Sequence, residues 1–175
     1  MEETDAGAWP AAIFSAIKAY DVGQVAYVPD AGHTALIDAC IADPTIETIS
    51  LTTEEEGVAL LGGAWLGGQR GVLLMQSSGL GNCMNMLSLA RNCRFPLPML
   101  ITMRGQWGEF NPWQVPVGQA AADMLRLAGS LVFDVDRPSD VAETADTTLK
   151  MAYEGPAMTA MLIAQRLIGT KSFGK

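Results

Sequence analysis

At 175 residues the chain has the length of one domain, able to bury about 70 % of the surface its unfolded form exposes. Its formal net charge of -8 argues against binding to DNA, RNA or an anionic membrane surface, all of which attract cations. With 49 % of the residues hydrophobic and only 17 % charged, part of the surface is expected to be covered by another subunit.

The chain starts with Met1-Glu-Glu-Thr-Asp5, acidic where a signal peptide would be basic. No apolar run reaches the roughly 18 residues that cross a bilayer, so a soluble, cytoplasmic protein without membrane contact is expected. Residues 8–21 place Trp9, Ile13, Ala16, Ile17 and Tyr20 at helical spacing. Val25 to Val28 reads as a short strand, ended by Pro29-Asp-Ala-Gly-His-Thr34. Asp30 is a candidate helix cap there, and the helix runs to Ala42, where Asp43-Pro44 stops it. His33, the single histidine, is either a solvated residue at a helix start or, at the carboxyl end of a strand, a contact for an anion. Cys40, Cys83 and Cys93 have no Cys-x-x-Cys spacing and no histidine cluster beside them. They read as reduced thiols, and neither a disulfide framework nor a metal site is expected.

A β-branched segment ending at Thr52 leads into Thr53-Glu-Glu-Glu56, which has capping-box spacing. Thr53 is then the N-cap, Glu56 bonds back to it, and Glu54 faces water near the positive end of the helix dipole. Glu55 lies between them, at the edge where open α/β sheets hold ligands. The helix carries Gly57, Gly62, Gly63, Gly67 and Gly68. Each interior glycine costs about 1 kcal/mol relative to alanine, so either the helix packs tightly on the sheet or another molecule lies against it. A second strand from Gly71 ends in the turn Gln76-Ser-Ser-Gly-Leu-Gly-Asn82.

Gly79 to Arg94 reads as a helix whose Met84, Met86, Leu87 and Leu89 fill a core or an interface. Near its start, Asn82, Asn85 and the N–H groups of Gly79 and Gly81 could hold a ligand. There is no third glycine at dinucleotide spacing and no Gly-Lys-Ser/Thr of a P-loop. Pro98 to Met103 is a buried strand ending at Arg104-Gly105. Residues 106–117 lack periodicity and contain Trp107, Trp113, Pro112 and Pro116, the pattern of a loop that covers a site or docks a partner. Gln119–Ala128 is a helix, Leu131–Val135 a strand, Ser139–Tyr153 a helix and Ala157–Ala164 the sixth strand. Residues 1–7 and 171–175 are expected to be flexible tails.

Strands alternating with helices imply a three-layer α/β sandwich, an about six-stranded parallel sheet with helices on both faces and right-handed crossovers. The turns at Pro29–His33, Thr52–Glu56, Gln76–Gly81 and Arg104–Gln114 then emerge from one edge, although strand order is not legible.

The order Glu55-Glu-Gly-Val-Ala-Leu-Leu-Gly-Gly-Ala-Trp65, then Gly71-Val-Leu-Leu74, then Ser78-Gly-Leu-Gly-Asn82 resembles the pyrimidine-binding (PYR) domain of thiamine diphosphate enzymes. Leu80 replaces the usual proline, and Glu54 stands where a histidine often precedes the glutamate. With Arg104-Gly105, the similarity is greatest to the sulfopyruvate and phosphonopyruvate decarboxylases and covers most of the chain as a single PYR domain.

The resemblance implies that Glu55 hydrogen-bonds N1' of the cofactor's aminopyrimidine, while Ser78, Gly79, Gly81 and Asn82 line the cofactor. His33, Arg104, Asp30 and Gln114 would contact an anionic 2-oxo acid, with a sulfonate or phosphonate tail calling for cations or N–H donors. Arg91 and Arg94 read as solvated. The family's diphosphate and Mg2+ site is carried by a second domain with a Gly-Asp-Gly motif, a sequence found nowhere in this chain. A separate beta subunit bearing that motif is therefore implied, with the cofactor between the two chain types and PYR chains also pairing with each other. The alternatives are a non-catalytic PYR-fold partner protein and a generic α/β binding module.

Overall fold

The computed structural model describes residues 9–169, so the expected tails at 1–7 and 171–175 lie outside the described residues. Six parallel strands form the sheet: β1 (Val22–Tyr27), β2 (Glu47–Ser50), β3 (Arg70–Gln76), β4 (Leu97–Thr102), β5 (Leu131–Val135) and β6 (Met158–Ile163). Their order is β2-β1-β3-β4-β6-β5. Every ladder is parallel, which is the expected three-layer architecture. The central strands β4 and β6 are buried along their whole length, whereas the edge strands β2 and β5 are only partly covered. A parallel strand covered on both faces has no solvent side, which is why these segments read as continuous apolar runs rather than alternations.

Helices α1 (Trp9–Ala19), α2 (Thr34–Ala42) and α6 (Val141–Glu154) cover one face. Trp9, Ile13 and Ile17 of α1 pack into that core with Leu36, Ile37 and Leu149. The other face carries α3 (Glu54–Leu66), α4 (Leu80–Cys93) and α5 (Gln114–Ala128), joined through Val58, Leu61, Leu87 and Leu125. A four-residue helix, α7 (Gln165–Ile168), follows β6. Among the described residues no helix is long and apolar enough to cross a membrane.

Three sequence expectations are corrected. The helix expected from Gln119 starts at Gln114; Pro116 is its third residue, where a missing N–H costs no helical bond. The Thr53 hydroxyl makes no cap bond. The Glu56 carboxylate does reach back, but it accepts from the N–H of Thr52, at 2.8 Å, which is half a capping box displaced by one residue. Asp30 does not cap α2 either, whose N-cap is His33 without a side-chain bond.

From β1 the chain moves outward to β2 and then returns to β3 on the opposite side of β1. The reversal leaves a crevice beyond the carboxyl ends of β1 and β3, the topological switch point at which doubly wound sheets bind ligands. Asp30 and Gln76 flank it.

Candidate active site at the carboxyl edge of the sheet

The four turns converge on one rim, as a parallel sheet requires. Across the switch point the Gln76 Nε2 donates to Asp30 Oδ1 at 2.9 Å. The other Asp30 oxygen accepts from Thr102 Oγ1, at the end of β4, at 2.6 Å. Gln76 Oε1 in turn accepts from Ser78 Oγ at 2.8 Å and from Gln114 Nε2 at 3.2 Å. Asp30, Ser78 and Gln114, singled out in the sequence, are thus joined through Gln76, which was not. Its only signal was a polar residue closing an apolar strand.

Beside this cluster Arg104 is buried with its charge already matched. Its Nε and Nη2 donate to the two oxygens of Glu109, the Nε contact at 2.7 Å, and the two side chains are 11 % and 3 % exposed. This bidentate geometry is the strong form of an ion pair. Glu109 also accepts from the backbone N–H of Gly105 and of Asn111 and from Gln165 Nε2. Chiefly through the Arg104 hydrogen bonds, its carboxyl is held down at about 2. Gln165 receives the N–H groups of Gln106 and Trp107 and its own N–H donates to Gln106 Oε1. The loop between β4 and α5 is therefore clamped at both ends, and Trp107 and Trp113 stand out from it, 53 % and 72 % exposed. The closeness of α5 to Arg104 depends on Gly118, since a Cβ there would strike the Arg104 carbonyl oxygen. Sequence reading placed Arg104 against an anion; the anion it holds in the fold is Glu109.

His33 is also corrected. It is wholly buried, with Nε2 3.0 Å from the Leu100 carbonyl oxygen. Burial lowers its pKa, opposed by the charge of Asp30 and by backbone hydrogen bonds. The ring stands away from solvent because the turn before α2 packs against the end of β4.

At the start of α3 the three carboxylates separate. Glu56 is exposed and Glu55 half-buried, while Glu54 is only 9 % exposed. Glu54 thus does not face water. Its carboxyl group lies directly over Gly79, where any Cβ would collide with it, and Glu54 Oε2 lies 3.4 Å from Asn82 Nδ2. Gly79 is covered by this carboxylate and unavailable to a ligand. Gly81, Ser78 and Asn82 remain exposed at the rim. The buried Cys83 thiol, pushed up to about 12 by burial and then by the charges of Glu54 and Glu55, reports how close both carboxylates are. Glu55 makes no hydrogen bond within the described residues, so its oxygens are available to another molecule.

The glycines of α3 answer the question they posed in two ways. A Cβ on Gly57 would stand 2.6 Å from Leu73 Cδ1 and one on Gly62 3.0 Å from the Phe95 ring, so these two are packing positions. A Cβ on Gly63 would meet nothing. It lies with Ala59, Leu66, Leu89 and Cys93 along an apolar groove of about 360 Å³ between α3 and α4.

A doubly wound parallel sheet with polar side chains gathered at its switch point defines a three-layer α/β domain. The same fold forms part of the 2-oxoglutarate:ferredoxin oxidoreductase from Magnetococcus marinus, with a TM-score of 0.72 at 14 % identity over 91 % of this chain and 29 % of that one. No protein-family model matches the chain. It is 37 % identical over 117 residues to sulfopyruvate decarboxylase subunit alpha of Methanothermobacter thermautotrophicus, covering 66 % of this chain and 71 % of that protein. To the subunit alpha of Methanococcus maripaludis it is 32 % identical over 147 residues, covering 81 % and 88 %. Phosphonopyruvate decarboxylase of Streptomyces viridochromogenes is 41 % identical over 108 residues, 61 % of this chain but only 27 % of that longer protein. The chain belongs to the sulfopyruvate decarboxylase alpha-subunit family.

Proposed function

We propose that this chain is the alpha, pyrimidine-binding subunit of a thiamine diphosphate-dependent decarboxylase that converts 3-sulfopyruvate to sulfoacetaldehyde and CO2 together with a separate beta subunit. The observation that carries the reading is Glu55: a half-buried carboxyl at the first turn of α3, without a hydrogen-bond partner among the described residues and near enough to Cys83 of α4 for its charge to act on that thiol, in a chain of the alpha-subunit family. The division of labour is supported by the relatives named as the alpha subunit of sulfopyruvate decarboxylase. A beta subunit with the Gly-Asp-Gly motif would hold the diphosphate and Mg2+.

The residues present fit the pyrimidine end of the cofactor. Glu55 would hold a proton at N1' of the ring, Gly81 offers approach at the rim, and Ser78 and Asn82 present side chains there; Gly79, under Glu54, does not. Bound thiamine diphosphate supplies the electron sink for loss of CO2. This chain's part is to orient the ring, supply the carboxyl at N1' and exclude water around the substrate. Arg104 Nε and Nη2 are engaged by Glu109, and Glu54, Glu55 and Glu56 put further negative charge in the first turn of α3. Most of the cationic contacts to the sulfonate therefore come from the beta subunit, and pairing of PYR chains completes the assembly.

The test is Glu55→Gln in the reconstituted alpha–beta pair with thiamine diphosphate, Mg2+ and sulfopyruvate. Turnover should fall by about 10²- to 10⁴-fold, the usual contribution of a positioned proton-transfer group, with assembly intact by size exclusion. Unchanged turnover removes Glu55 from the mechanism. The 41 % identity to a phosphonopyruvate decarboxylase favours a second reading, with 3-phosphonopyruvate as substrate, and the two keto acids are compared in the same assay.

A further inference from the structure

The polar cluster at the switch point has a direction. A carboxylate can only accept hydrogen bonds. Because Gln76 faces Asp30 at 2.9 Å, it must present its NH2 there, and its carbonyl oxygen must point the other way. That oxygen takes the hydroxyl of Ser78 and the amide of Gln114. Gln114 must then present its own NH2 to Gln76, since two carbonyl oxygens at 3.2 Å would repel. The consequence reaches the last atom of the series: Gln114 Oε1 is left as an acceptor, and it is buried without a hydrogen-bond partner among the described residues. A buried acceptor without a donor is unfavourable, and such groups are rare in folded proteins unless a ligand or ordered water meets them.

The geometry points to Asp30 as a positioning residue that, through Gln76, fixes the Gln114 carbonyl as an acceptor for a hydrogen-bond donor on the bound ligand, an amino or hydroxyl group and not an oxygen of the substrate's carboxylate or sulfonate. This deepens the function proposed above and rests on it for the identity of the ligand. It also gives the sheet's switch point its function: Asp30 follows β1, Gln76 ends β3 and Gln114 opens α5, so three elements set the polarity of one atom. Thr102 Oγ1, at 2.6 Å on the second Asp30 oxygen, holds the carboxylate in place.

Asp30→Asn changes one oxygen to NH2 with almost no change in shape, and a side-chain amide that donates to Gln76 reverses the series. Gln76 then turns its oxygen towards position 30, Gln114 turns its oxygen to Gln76, and an N–H replaces the carbonyl facing the ligand. Side-chain amide ¹⁵N–¹H spectra of the full-length chain read this without any cofactor. The Gln76 and Gln114 NH2 signals, assigned with Gln76→Met and Gln114→Met, should move in Asp30→Asn while the backbone spectrum stays folded. Unmoved signals overturn the relay.

In the reconstituted pair, Asp30→Asn and Gln114→Met should each lower kcat for sulfopyruvate about tenfold, the order expected for one lost hydrogen bond, with KM changed less than kcat. The double variant should be no worse than Gln114→Met alone. Gln76→Met, which breaks the series in its middle and leaves Asp30 intact, must reproduce the loss. Additive effects would show that Asp30 acts directly, and a lower KM in Asp30→Asn would show that Gln114 meets an anion; either overturns the proposal. Failure of the thiamine diphosphate reading is seen separately, as unchanged turnover in Glu55→Gln with the amide shifts still present.

Discussion

The loop after β4 and the α3–α4 face adjoin the same rim, yet their side chains are satisfied to different degrees. Arg104, Gln106 and Glu109 of the loop and Gln165 of α7 use one another's donors and acceptors. On the α3–α4 face, Glu55 makes no hydrogen bond among the described residues, a Cβ on Gly63 would meet nothing and Leu66 is 88 % exposed. Glu55, Ala59, Gly63 and Leu66 follow helical spacing, so the free carboxyl and the bare apolar strip share one side of α3. The chain thus folds its charges inward in one region and leaves apolar surface exposed in the other.

That contrast is broken most severely at Glu109. Glu109→Ala leaves the Arg104 guanidinium buried without its carboxylate, and urea unfolding of the isolated chain should show a loss of about 3–5 kcal/mol. The pH profile sharpens the same point. The Glu109 carboxyl is lowered in the fold from 4.5 to about 2, so its contribution to stability is complete above the unfolded-state value. It should drain away as pH falls from about 4.5 towards 2, and Glu109→Gln should flatten that acid limb.

Gly79→Ala comes next. Its Cβ would strike the Glu54 carboxyl group, and overpacking of this kind costs about 1–3 kcal/mol. Combined with Glu54→Ala the penalty should shrink, and a double-mutant cycle that came out additive would separate the two residues. The smallest effect belongs to the open face. Gly63→Ala, with nothing for its Cβ to meet, should stabilise the isolated chain by up to about 1 kcal/mol through helix propensity. If a beta subunit lies against that strip, the same substitution should weaken assembly measured by analytical ultracentrifugation.

Much of the architecture was legible because it follows from periodicity. Continuous apolar runs such as Pro98–Met103 mark strands buried on both faces, and helical spacing at Trp9, Ile13 and Ile17 marks a face that must find a core. The convergence of Asp30, Glu55, Ser78 and Arg104 on one rim also followed, since every parallel strand delivers its carboxyl end to the same side. The pairing within that rim was not legible. Glu54 and Glu55 are neighbours in sequence and alike in chemistry, yet the direction of α3 buries one over Gly79 and leaves the other half-exposed.

His33 gave the same signal as a surface histidine, because only the packing of the turn before α2 against the end of β4 sets the ring at the Leu100 carbonyl. Glu109 sits five residues beyond Arg104 in a stretch without periodicity, and only the path of the loop brings their side chains together. Sequence by itself determined the alternation of strands and helices and the edge where chemistry belongs, because those depend on hydrophobic patterning and chain direction. Tertiary structure alone decided which charges are spent, which carboxylate is free and which way the Gln76 and Gln114 amides face, because each depends on a partner brought across the sheet from a distant part of the chain.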